Sequence, residues 1–260
     1  MDLGLNGKVA LVTGGTKGLG HAIARELASE GAAVAICARN ADEVASVVRS
    51  LEGTGVPVYG QRADVTVPEE VQDFVARAAR ELGAVDILVN NAGRAHPGDF
   101  ETLTDDDWQA DIDVKLFSMI RCSRAVLPHM RKRGGGRIIN IGAVYAKYPD
   151  PTFFATSVVR ASCQNFNKTL ALQLAKENIL VNLVNIGYVA TAQWEDIRRS
   201  AAPETSQNEF FDLLAAREVP LGRFGRDDEV SGLVAFLASE RSTYITGAAI
   251  DVAGGMGKYV

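Results

Sequence analysis

Near the N-terminus, Thr13-Gly14-Gly15-Thr16-Lys17-Gly18-Leu19-Gly20 lies between a short apolar run and a segment of helical period. Glycines at 14, 18 and 20 let a backbone turn tightly and approach a phosphate closely. A helix that starts in such a turn points free N–H groups and the positive end of its dipole at an anion. A glycine-rich turn joining a strand to a helix predicts a dinucleotide-binding unit, with the pyrophosphate at the turn. Gly14, Thr16, Lys17, Gly18, Leu19 and Gly20 are therefore candidate cofactor contacts.

The rest of the chain repeats the strand–helix unit. Strands are expected over Lys8–Val12, Ala33–Cys37, Val58–Arg62, Val85–Val89, Arg137–Ile141, Ile179–Asn185 and Ala248–Val252. Helices are expected over Leu19–Ser29, Ala41–Leu51, Pro68–Leu82, Asp105–Arg131 (long, with a bend), Thr156–Glu177 and Asp227–Ala238. Apolar runs alternating with helices mean a parallel sheet covered on both faces. The expected architecture is α/β, a doubly wound Rossmann-type parallel sheet in a single domain over residues 1–260. Residues 188–217 are polar and irregular, carry Trp194, Phe210 and Phe211, and read as a substrate lid.

Composition closes off other classes. Hydrophobic residues make up 47% and charged residues 23%, as in an ordinary globular chain. Lys plus Arg number 27 against 32 Asp plus Glu, a net charge of −5 that offers no basic face for nucleic acid. Cys37, Cys122 and Cys163 are too few and too scattered for a disulfide framework or a metal site, and three scattered histidines add none. The start Met1–Lys8 lacks a signal-peptide pattern, no apolar run approaches the ~20 residues of a membrane span, and Lys258-Tyr259-Val260 matches no lipidation signal. A cytoplasmic protein with a small-molecule substrate is expected.

Cofactor choice follows from charge. An NAD site wants a carboxylate at the end of the second strand to hold the ribose hydroxyls. Here that strand ends Cys37-Ala38-Arg39, with Ala38 in the carboxylate's place. Arg39 suits a phosphate fork and Lys17 adds a second cation, which favours the 2′-phosphate of NADP(H).

The spacing Gly-x-x-x-Gly-x-Gly, Asn90-Asn91-Ala92-Gly93 after strand four and Asp64-Val65 after strand three together resemble the short-chain dehydrogenase/reductase family, in particular its 3-oxoacyl-acyl-carrier-protein reductases. Pro220-Leu221-Gly222-Arg223-Phe224-Gly225, Ile245-Thr246-Gly247 and Gly254-Gly255 extend the resemblance over nearly the whole chain. It implies a nicotinamide cofactor and a homotetramer. It further implies Asp64 and Val65 beside the adenine, Asn91, Ala92 and Gly93 along the adenosine, and Thr191 near the nicotinamide amide. For the tetramer, the helices at 105–131 and 156–177 and the tail Ala248–Val260 are the expected contacts.

The same resemblance implies a Tyr-x-x-x-Lys pair for proton transfer, assisted by a Ser and an Asn. Ungapped counting places Thr156 at the Tyr position, Arg160 at the Lys, Ala143 at the Ser and Lys115 at the Asn. A threonine hydroxyl has no pKa near neutrality, and Arg160 stays protonated while still able to hold ribose hydroxyls. Substitute acids are Tyr145, ranked first because it lies two residues beyond Ala143, and Lys115, whose pKa falls if it is buried against Arg160. Lys147 and Tyr148 after strand five, His96 after the Asn-Asn-Ala-Gly motif and Tyr188 after strand six are further candidate donors, each weighed against a structural or pocket-lining role. Three readings stay open: an NADP-dependent oxidoreductase with a non-standard proton donor, a non-redox lyase or hydrolase on the same fold, and a catalytically silent dinucleotide binder.

Overall fold

The computed structural model describes residues 2–257. Lys258–Val260, the end of the expected subunit-contact tail, lie outside them. Seven strands form one sheet in the order β3-β2-β1-β4-β5-β6-β7, and every pairing is parallel. They are β1 (Val9–Thr13), β2 (Ala33–Ala38), β3 (Val58–Arg62), β4 (Ile87–Asn90), β5 (Gly136–Ala143), β6 (Ile179–Ile186) and β7 (Ala249–Val252). β1 sits between β2 and β4, so the strand order reverses there and opens a crevice beyond the strands' carboxyl ends.

The helices are α1 (Gly18–Ser29), α2 (Ala41–Glu52), α3 (Pro68–Leu82), α4 (Asp105–Ile112), α5 (Ser118–Arg133), α6 (Phe154–Leu174), α7 (Ala192–Ala201), α8 (Gln207–Glu218) and α9 (Asp228–Ala238). Their starts obey local chemistry. Asn40 accepts from the Asp42 and Glu43 amides, Thr104 and Asp107 form a reciprocal capping box, and Pro68 opens α3 ahead of Glu69 and Glu70. Two apolar layers sandwich the sheet. Ile23, Leu27, Val44, Val47, Val230 and Val234 bring α1, α2 and α9 to one face. Val71, Phe74, Cys122, Val126, Ala171 and Leu174 bring α3, α5 and α6 to the other.

Two sequence expectations change in detail. The bend foreseen in the helix at 105–131 is a π turn over Asp113–Phe117 that joins α4 to α5. The expected lid at 188–217 divides: α7 lines the crevice, whereas α8 packs its Phe211 flat on Phe224, away from it. All three cysteines are buried and unpaired. Among the described residues no helix is long and apolar enough to cross a membrane.

Candidate active site

The crevice at the strand-order reversal holds about 780 Å³, within the range of a small-molecule site. One end is built by the β1–α1 turn. Gly14 and Gly15 donate to the Cys37 carbonyl at 2.8 and 3.2 Å, which pins the turn to β2. Gly14 has φ +64°, and a Cβ at Gly20 would collide with the Gly14 carbonyl and the Asn91 amide. Asn91 donates from Nδ2 to the Thr13 and Gly14 carbonyls at 2.9 and 3.1 Å, so it braces the turn from β4. The α1 N-terminus has no side-chain cap and no acidic residue in its first turn. Its orphan N–H groups are left for an anion, which fits a cofactor pyrophosphate.

Of the residues expected to touch the cofactor, Gly14, Lys17, Gly18, Leu19, Gly20, Arg39, Asn91, Ala92, Gly93, Arg160 and Thr191 line the crevice. Thr16, Asp64 and Val65 do not. Thr16 donates to Glu43 at 3.3 Å, Val65 is buried, and Asp64 Oδ1 already accepts from the Thr66 amide and hydroxyl at 2.9 and 2.7 Å. At the Arg39 end, Lys17 pairs with Glu43 at 2.7 Å. The Lys17 ammonium holds the Glu43 carboxyl below its usual value. Sequence reading gave Glu43 no role, because it lies in a helix first turn where acidic residues are ordinary.

At the other end a buried polar cluster joins α4, the π turn and α6. Lys115 is fully buried. Its Nζ donates to Asp111 Oδ2 at 2.5 Å and to Thr156 Oγ1 at 2.8 Å. Burial, and next the Arg160 guanidinium, lower the Lys115 pKa to about 8, with Asp111 opposing. Asp111 escaped the sequence reading, although its place four residues before Lys115 is helix-pair spacing. Thr156 Oγ1 also accepts from the His96 amide at 3.2 Å. Arg160 donates from Nη1 to the Ile141 carbonyl at 2.7 Å, while its buried Nε has no partner. A Cβ at Gly93 would press on Arg160 Nη2 at 3.0 Å, so glycine there leaves room for the guanidinium.

The remaining wall is aromatic. Tyr145 stacks on Phe153 with ring centroids 5.2 Å apart, and Trp194 meets Tyr188 edge-on at 4.5 Å. The Tyr145 hydroxyl donates to that of Tyr188 at 3.3 Å, and burial pushes both phenols up. Lys147 turns to Asp251, 2.9 Å away. Gln193 accepts from the Ala95 amide at 2.9 Å and ties the start of α7 to the loop after β4.

This arrangement has counterparts among known proteins. A family model described as short chain dehydrogenase matches residues 8–202. A Streptomyces virginiae protein named as a ketoacyl reductase of the monensin polyketide synthase is 39% identical over 97% of this chain and 98% of its own. The crystal structure of L-sorbose reductase from Gluconobacter frateurii, complexed with NADPH and L-sorbose, superposes with a TM-score of 0.97 at 36% identity over the whole of both chains. The NADPH-bound structure of a short chain oxidoreductase from Pseudomonas aeruginosa PAO1, described as containing an atypical catalytic center, superposes with a TM-score of 0.90 at 34% identity over 97% of this chain and 98% of its own.

Proposed function

Since the chain belongs to the short-chain dehydrogenase family, we propose that it is an NADP(H)-dependent oxidoreductase that interconverts a carbonyl and a hydroxyl on a small molecule, with a non-standard proton donor. Gly14, Gly18, Gly20 and the bare α1 N-terminus would hold the pyrophosphate, Lys17 and Arg39 the 2′-phosphate, and Arg160 the nicotinamide ribose. When bound, the nicotinamide supplies or accepts the hydride.

The observation that carries the reading is the Lys115–Thr156 hydrogen bond at the crevice wall. Thr156 Oγ1 spends its acceptor capacity on Lys115 Nζ and the His96 amide. Among the described residues its own proton has Asp111 Oδ2 as acceptor, in a long contact of 3.5 Å, and Thr156 lines the crevice, where a substrate oxygen would offer a second acceptor. In the reductive direction that hydroxyl donates to the substrate oxygen as Lys115 returns a proton to Oγ1. Lys115 thereby ends as a neutral amine beside Asp111. A lysine titrating near 8 suits general acid work at neutral pH, which a threonine alone does not. Tyr145, the first choice from sequence spacing, fits less well: its hydroxyl is engaged by Tyr188 and burial pushes its pKa up.

The aromatic wall favours a carbonyl beside an apolar or planar body, in keeping with a relative named for ketoacyl reduction. The test is NADPH oxidation, followed by absorbance, across β-keto thioesters, aryl ketones and ketoses. Turnover lost in Thr156→Val supports the assignment. Product formed with no change in cofactor redox state would instead establish the non-redox reading, and tight NADPH binding without turnover the silent one.

A further inference from the structure

Lys115 is fully buried and Asp111 almost so, so a proton leaving this pair cannot be replaced directly from water. Of the groups around it, Arg160 does not release a proton at working pH, and burial pushes the Cys163 thiol up. His96, on the loop between β4 and α4, is different: its side chain keeps 19% of its surface exposed. Nε2 lies 3.4 Å from Asp107 Oδ1, and Nδ1 lies 3.8 Å from Asp111 Oδ1. Those last two atoms, His96 Nδ1 and Asp111 Oδ1, are both buried without a hydrogen-bond partner. Two unsatisfied polar atoms facing each other call for an explanation. Their gap is about 0.6 Å beyond hydrogen-bond range, and catalytic hydrogen bonds are often this long before substrate binds.

We propose that His96 is the proton port of the site, passing protons from solvent through Asp111 to Lys115. This rests on the donor assignment above. Imidazolium Nδ1–H gives its proton to Asp111 Oδ1. The resulting carboxylic acid turns about its Cβ–Cγ bond to present that same O–H to Lys115 Nζ, which takes it. His96 ends neutral, Asp111 ends as carboxylate and Lys115 as ammonium, and His96 then regains one proton from water. Asp107 positions the ring: hydrogen bonds from the Thr104 hydroxyl and amide hold its carboxyl below the usual value, so it stays charged beside Nε2. The charged groups facing His96 are Asp107 and Asp111 on α4, with Arg94 on its own loop adding to the field at Asp107. Those facing Lys115 are Asp111 and Arg160, with the Cys163 thiol beside them. Histidine is suited to the port because its ordinary pKa lies near neutrality.

The test is His96→Gln. Turnover is expected to fall about tenfold or more, within the range of general acid–base effects, while the NADPH dissociation constant stays unchanged. Imidazole added to the buffer should restore part of the rate, which a merely structural role would not allow. In cofactor-free protein, the NMR titration of the His96 ring should shift when Asp111→Asn is introduced. A His96→Gln variant with native turnover, or one insensitive to imidazole, would overturn the port. So would a His96 titration indifferent to Asp111→Asn. Failure of the donor assignment shows separately, as native turnover in Thr156→Val, while the titration reads the His96–Asp111 link whatever that variant does.

Discussion

Lys115 Nζ lies 2.8 Å from Thr156 Oγ1, a contact between residues 41 positions apart. Lys115 belongs to the π turn and Thr156 to the first turn of α6. π turns occur often at functional sites because they change the facing of one residue in an otherwise regular helix. Here the turned residue is a lysine with no exposed surface. Burying an ammonium is costly, and the cost is offset by Asp111 on one side and a hydroxyl on the other. The other side of that hydroxyl is the crevice, so a strained charge borders the place where a substrate oxygen would sit.

Thr156→Val keeps the shape of the side chain and removes the relay. Steady-state NADPH oxidation should fall by about 10²-fold or more, the usual loss for a general acid. Thr156→Ser should retain most of the rate, and NADPH binding by calorimetry should be unchanged in both. A Val variant within about twofold of native would remove Thr156 from the proton path.

The pH dependence follows from Lys115. As the acid it must be protonated, so reductive kcat should decline as pH rises through about 8. Stability moves the other way. The folded pKa, about 8, lies below the ordinary lysine value of 10.5, so between these pH values the unfolded chain binds more protons. The Lys115 contribution to stability should therefore rise with pH across that window, having been unfavourable below it. Urea midpoints against pH, compared with a Lys115→Met/Asp111→Leu variant, read this difference. Lys115→Met alone should destabilise by about 3–5 kcal/mol, because it strands a buried carboxylate. The double variant should recover most of that loss. Equal stability of the single and double variants would show that Asp111 is not held by Lys115.

The glycine turn, the strand order's alternation and the cations Lys17 and Arg39 were legible because each depends on neighbours in sequence: a β–α junction, a period, a strand end. The Lys115–Thr156–His96 grouping was legible only as separate candidates, since three different elements meet there. Asp111 was hidden as one more acid in a helix already bearing Asp105, Asp106 and Asp107. Tyr145 looked attractive by its distance along the chain. In space its hydroxyl meets Tyr188 instead, a contact that no local spacing encodes.

Cofactor preference should depend on Glu43 as well as on the two cations. Lys17 is engaged by Glu43 at 2.7 Å, so a 2′-phosphate must compete with that carboxylate. Arg39→Ala should reduce the ratio of NADP(H) to NAD(H) affinity by about tenfold, the scale of one charge-assisted hydrogen bond. Glu43→Gln should raise the same ratio by freeing Lys17. Calorimetry with both cofactors measures it. Equal affinities in the native protein would refute the 2′-phosphate assignment.

The expected assembly is a homotetramer, and the exposed face of α6 is where one contact is predicted. Val158 is 48% exposed and Leu172 72% exposed. Fourteen residues separate them, about four helical turns, so they lie on one face about 21 Å apart. Phe117, at the end of the π turn, is 40% exposed beneath the Arg121 guanidinium, whose carbon lies 5.1 Å from the ring centroid. Apolar residues aligned along a helix are costly in water, and in the expected assembly a second copy of the same face would cover them with closed two-fold symmetry. Leu172→Glu places two like charges across such a self-contact, so it should lower the mass measured by light scattering while leaving the circular dichroism spectrum native. A native protein that scatters as a monomer at working concentration would refute the assembly. A Leu172→Glu tetramer as stable as the native one would move the contact away from α6.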